Sequence, residues 1–136
     1  MKAIKIMLLS IFLVSAFFVT AYSGGGSCRS DQNGPGMDVD SEVYYIPSGT
    51  NYNWRLIIEG NNEIDNSYVS SYACIIGPAS PIFLQYKQQG ADYYHFDAQN
   101  SGYTSNGSYT YLYTGAEVGS DNDNGSGSSG YASVTW

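Results

Sequence analysis

Histidine, cysteine and positive charge are all scarce in this chain, and each shortage closes off a chemistry. The one histidine, His95, would have to serve alone in any histidine-based triad. Asp92 and Asp97 flank it, yet no nucleophile elbow or other local signature accompanies it. It reads as an exposed residue on the polar face of a strand. Cys28 and Cys74 are the only cysteines, and neither has a second cysteine or a histidine at a short ligand spacing, so a zinc site lacks partners. No pair of carboxylates stands out as the acid and partner that glycoside hydrolysis needs. The expectation is a protein with no catalytic residues and no cofactor.

Lysine and arginine total five against twelve acidic residues. Two of the five, Lys2 and Lys5, precede an apolar run from Ile6 to Val19 that only Ser10 and Ser15 interrupt. A positive start, an apolar run too short for a comfortable permanent span, and small residues after it are the marks of a secretory signal peptide. Residues 1–23 are assigned to it, with cleavage after Ala21 or Ser23. The expected location is therefore secreted, extracellular or at the cell surface, without permanent membrane insertion. Removing that helical leader leaves Arg29, Arg55 and Lys87 against the twelve carboxylates, a net charge of −9. So acidic a surface repels phosphate backbones, which excludes nucleic acid as a partner. An even cysteine count in an oxidising compartment implies one disulfide, Cys28–Cys74, worth about 4 kcal/mol on the chain-entropy account.

The chain beyond the leader is sized for one domain. Residues 24–37 are mostly Gly, Ser, Asn, Asp and Pro, and are read as a flexible leader tied down at Cys28. Asp38, Asp40 and Glu42 then alternate with Val39 and Ser41. Alternate carboxylates on one face could hold a hard cation such as Ca²⁺. The competing reading, a charged strand edge that discourages pairing with other chains, fits the pattern better.

From residue 38 to 136 the apolar residues recur every second position, and helical periodicity is missing. Trp54, Leu56 and Ile58 form one face of a strand and are assigned to the core. Tyr68 to Ile76, Pro81 to Gln88, Tyr93 to Ala98, Tyr109 to Thr114 and Tyr131 to Trp136 continue the series, punctuated by Gly, Pro, Asn and Asp. About seven short strands at this spacing describe an all-β fold, an antiparallel β-sandwich. Trp54 with Tyr72-Ala73-Cys74 resembles the immunoglobulin arrangement, in which a tryptophan packs on a disulfide and a tyrosine stands two positions before the second cysteine. The spacings differ, Cys28 and Cys74 being too close together and Trp54 too near Cys74. The likeness implies a shared architecture and no family.

Tyrosine is what the sequence has in excess: fourteen, thirteen of them outside the leader, against Phe83 and Phe96 there. Tyr109, Tyr111 and Tyr113 alternate with Thr110, Leu112 and Thr114, which sets three phenol rings on one strand face about 7 Å apart. Tyr is apolar on its ring and polar at its tip, so it suits a surface that is wet alone and dry when bound. The expectation is a binding or adhesion module that grips an extracellular glycan or protein surface through Tyr109, Tyr111 and Tyr113. The alternative is a structural subunit that self-associates through strand edges.

Overall fold

The computed structural model of the protein describes residues 23–78, 81–119 and 125–136. The expected signal peptide, Ser23 apart, lies outside the described residues. The described residues form eight strands: β1 (Gly25–Asn33), β2 (Gly36–Ile46), β3 (Thr50–Asn62), β4 (Tyr68–Ile76), β5 (Ile82–Gln89), β6 (Asp92–Thr104), β7 (Ser108–Val118) and β8 (Gly127–Thr135). They form two four-stranded antiparallel sheets with strand orders β1-β8-β3-β6 and β2-β7-β4-β5. The outermost elements of the sequence pair with each other, then the next pair inward, down to β4 with β5. That is one long antiparallel ribbon rolled up on itself, the eight-stranded jelly roll. The expected sandwich is present, with eight strands where about seven were expected and jelly-roll connections in place of an immunoglobulin-like arrangement.

The missing strand is β1. Residues 24–37 read as a flexible leader because they are polar and glycine-rich, but Gly25–Asn33 pairs over its whole length with β8. Only Cys28 and Ser30 of that strand are buried, so its stability comes from the ladder and not from apolar content. Its turn into β2 needs Gly34, at φ 75°, a conformation costly for a residue with a Cβ.

The core follows the alternation. Leu56 and Ile58 are fully buried, as expected, and Trp54 packs against them from a half-buried position. Ile46, Val69, Ile75, Leu112, Val118 and Val134 complete the apolar centre. Aliphatic residues are few, and tyrosine takes their place by lying flat on glycine. A Cβ added to Gly60 would come within 2.4 Å of the Tyr94 ring, one on Gly102 within 2.3 Å of Tyr52, and one on Gly26 within 1.9 Å of Tyr44. Gly60 faces Tyr94 and Gly102 faces Tyr52 directly across the β3–β6 ladder. Each glycine thus leaves a bed for a ring from the neighbouring strand, the aromatic rescue of a strand glycine. The abundance of Tyr and Gly in the composition has this shared structural cause.

Among the described residues most buried polar side chains are paired, Ser67 Oγ and Trp136 Nε1 being the exceptions. Ser30 Oγ and Thr114 Oγ1 lie 2.9 Å apart, and Ser71 Oγ meets the Tyr94 hydroxyl at 2.7 Å. Asn62 donates to the carbonyls of Ser67 and Gly90, both at 2.9 Å, and so ties the end of β3 to the β5–β6 turn.

Candidate functional site

Strand β7 runs through the middle of its sheet, with Thr110, Leu112 and Thr114 turned inward and wholly buried. Tyr109, Tyr111 and Tyr113 therefore project outward, 61%, 39% and 38% exposed. The decrease follows their neighbours. Tyr111 sits between Val43 and Ile76, Tyr113 between Ser41 and Cys74, whereas Tyr109 has a partner on one side alone, Tyr45, whose ring meets it edge-on at 5.1 Å.

The cross-strand rows extend the tyrosine line into a surface. Val39, Val43 and Tyr45 of β2, Ile76 of β4 and Phe83 of β5 all face outward beside it and are exposed. Tyr72 lies over Gly115, where an added Cβ would come within 2.1 Å of its ring, and it stacks on Phe83 with centroids 6.0 Å apart. Beside this stack a shallow cleft of about 330 Å³ is bordered by Val39, Asp40, Ser41, Tyr72 and Tyr113. Lys87 and Glu117 sit together at one end of this face. Lys87 Nζ lies 3.5 Å from the Tyr68 ring centroid, and the Tyr68 hydroxyl donates to Glu117 Oε1 at 2.7 Å, a bond that raises the Tyr68 pKa.

Sequence reasoning named three members of this surface and missed the rest. The signal for β2 was present: Val39, Val43 and Tyr45 alternate with Asp38, Asp40 and Glu42, and the acidic set masked the apolar one. The two sets are opposite faces of one strand.

Those carboxylates have their own task. Strand β1 is a sheet edge, and its outer N–H groups would otherwise be open to another chain. Asp38 Oδ2 accepts from the Asp31 N–H at 2.9 Å, and Asp40 Oδ2 from the Arg29 N–H at 3.3 Å. Tyr44, laid on Gly26, donates to the Ser27 carbonyl at 3.2 Å. Among the described residues no group of three His, Cys, Asp or Glu side chains is placed to hold a metal ion. Asp38 and Asp40 each engage a backbone N–H of β1 through one carboxylate oxygen.

The expected disulfide does not form. Cys28 and Cys74 are both free thiols, 3% and 8% exposed. Cys28 points from β1 into the core and donates to Thr114 Oγ1 at 3.6 Å. Cys74 stands on β4 among outward positions, level with Tyr113 and Phe83. The β2-β7-β4-β5 sheet separates them, because a strand sends even and odd side chains to opposite faces. Burial raises the pKa of both thiols, for Cys28 against a lowering by the Thr114 hydrogen bond.

His95 lies on the outer face of the other sheet, its Nδ1 3.3 Å from Glu59 Oε2. Asp97 is held by the Arg55 guanidinium, with Nε to Oδ1 at 3.0 Å, and that bond lowers its pKa. The histidine and this carboxylate are thus committed to separate partners. No helix among the described residues is long and apolar enough to cross a membrane.

No protein-family model matches the chain, and no curated protein matches it by sequence. Among solved structures it is similar to a chain of infectious bursal disease virus Gx strain, at 11% identity and a TM-score of 0.40, over 84% of this chain and 33% of that one. It is also similar to a chain of the Gt strain, at 14% identity and 0.39, over 85% and 31%. A third likeness is to Family 16 Carbohydrate Binding Module-2, at 10% identity and 0.31, over 75% and 70%. The chain spans about a third of the length of the two viral chains.

Proposed function

We propose that this is an exported, non-catalytic binding or adhesion module that contacts an extracellular glycan or protein through the outer face of its β2-β7-β4-β5 sheet. One observation carries the reading. On a chain with net charge −7, aromatic and aliphatic side chains from four strands lie exposed side by side, with Lys87 and Glu117 at one end and Asp40 at the border of the cleft. Contiguous apolar patches of this kind mark contact surfaces, and tyrosine supplies rigid contact area at low entropic cost. Sugar rings can stack on the phenols, and a protein patch can cover them.

The test is retention of the chain on insoluble polysaccharides and on immobilised extracellular proteins, with the Tyr109→Ala, Tyr111→Ala, Tyr113→Ala triple variant as comparison. Retention of the wild type, reduced by an order of magnitude or more in the variant, is the expected result. Each lost aromatic anchor is worth about 1–2 kcal/mol, and 1.4 kcal/mol is tenfold in affinity. A wild type that binds none of them, or a variant that binds as well, contradicts the proposal.

The second reading, a structural subunit that self-associates, has one observation in its favour. Strand β6 is a sheet edge of 13 residues that pairs on one side only, with β3. Edges of that length invite pairing with another chain. A monomer by light scattering at high concentration counts against it.

A further inference from the structure

The β1-β8-β3-β6 sheet turns a different surface outward. Across its strands Asp31, Ser129, Glu59 and His95 stand in one row, and Asn33, Gly127, Asn61 and Tyr93 in the next. A cleft of about 380 Å³ opens here, a size in the range of small-molecule sites. Gly127 leaves the middle of the second row without a side chain, and Tyr93, 57% exposed, stands at the end of that row.

The state of the charges narrows what fits. The Arg29 fork is closed on Asp31, with Nε and Nη2 at 2.6 and 2.9 Å from the two carboxylate oxygens. Glu59 accepts from Ser129 Oγ at 3.3 Å with one oxygen and lies 3.3 Å from His95 Nδ1 with the other. Arg29, the cation of the lining, is already matched to a carboxylate, so an anion meets no uncommitted positive charge there. A metal ion meets no group of three ligands among the described residues. An apolar ligand would strand the polar lining without partners. What remains is a neutral molecule that both donates and accepts many hydrogen bonds and has one apolar face.

We infer that this cleft is a second binding site, for a neutral saccharide residue, on the opposite side of the sandwich from the tyrosine surface. Sugar hydroxyls donate to the lone pairs that Glu59 and Asp31 have left and to the Asn61 carbonyl oxygen, whose amide N–H groups are directed to Glu63 Oε1 at 3.3 Å and the Gly125 carbonyl at 3.5 Å. The carboxylates are held in place by Ser129, His95 and Arg29, so little order is lost when they bind. The C–H face of the sugar ring packs on Tyr93, as apolar surface does on an aromatic ring. A protein carrying both sites would hold a saccharide on one face and a partner on the other.

The experiment is an amide-resolved NMR titration of the full chain with the methyl glycosides of glucose, galactose and mannose, and separately with sodium sulfate and calcium chloride. The expected result is saturable shifts at Glu59, Asn61, Tyr93 and Ser129 with at least one glycoside, with their own saturation curve whether or not Tyr111 and Tyr113 also shift. Tyr93→Ala and Glu59→Ala should each weaken that binding about tenfold, which is ~1.4 kcal/mol. Three results overturn the inference: no saturable shift at these amides with any of the glycosides, shifts there with sulfate or calcium only, or affinity that both substitutions leave intact. The wild-type map stands even if a variant fails to fold.

Discussion

At Gly130 the backbone of one sheet approaches that of the other closely. A Cβ there would lie 2.3 Å from the Tyr72 carbonyl oxygen and 3.0 Å from that of Gly115, so backbone, not a movable side chain, blocks it. Gly130→Ala should destabilise the fold by about 1–3 kcal/mol, the range for overpacking a close-packed interior. The loss reads out as a lower denaturant midpoint with an unchanged slope. The thiols make a second prediction at this scale. Buried, apart and with raised pKa values, Cys28 and Cys74 should resist a thiol reagent in the native protein, and both should react at once on denaturation without reductant. Titration of no thiols under denaturing conditions would restore the disulfide. An even count in a chain expected to be exported pointed to a pair, but pairing is decided by the face of the strand each sulfur occupies. That register cannot be read until it is known that residues 24–37 contain a strand.

Strand β2 shows how an element carries two functions through alternation alone. Its outward side chains build the aromatic surface, and its other side chains close the edge of β1. Asp38→Ala should leave the Asp31 N–H without its acceptor, at a cost of about 1–3 kcal/mol if the amide stays shielded from water. Hydrogen exchange measures it directly: the Asp31 amide should lose protection in the variant, while amides of the β3–β6 ladder keep theirs. Equal protection in both proteins would mean that the carboxylate is ornamental at the edge. At this scale the sequence was readable wherever a strand has one apolar face. Trp54, Leu56 and Ile58 were placed on the inner face because their alternation is strong, whereas the alternation of β7 put its tyrosines on one face without deciding whether that face was core or surface. Strand β1 was unreadable because its inward residues are Cys28 and Ser30, flanked by Gly26, and it is held by backbone pairing to β8, more than a hundred positions further on in places.

As a whole molecule the sandwich has two unlike outer faces. One is aromatic with Lys87 and Glu117 at one end, and the other carries the Arg29–Asp31, Arg55–Asp97 and His95–Glu59 pairs. Both faces arise from the same economy: with few aliphatic residues, tyrosines fill the interior over glycines, and the remaining tyrosines are free to line the outside. Composition alone left open which tyrosines were core and which were surface. The answer lies in register, with Tyr52 and Tyr94 facing inward glycines and Tyr109, Tyr111 and Tyr113 facing out.

Radical footprinting of tyrosine, in the free protein and when retained on its partner, measures that division and the proposed contact together. In the free protein Tyr45, Tyr109, Tyr111 and Tyr113 should be modified readily and Tyr52 and Tyr94 spared. With partner bound, protection should appear at Tyr109, Tyr111 and Tyr113. Protection confined to Tyr93 and Tyr103 on the other sheet, or none at Tyr109, Tyr111 and Tyr113, would contradict the assignment of the tyrosine face as the contact surface.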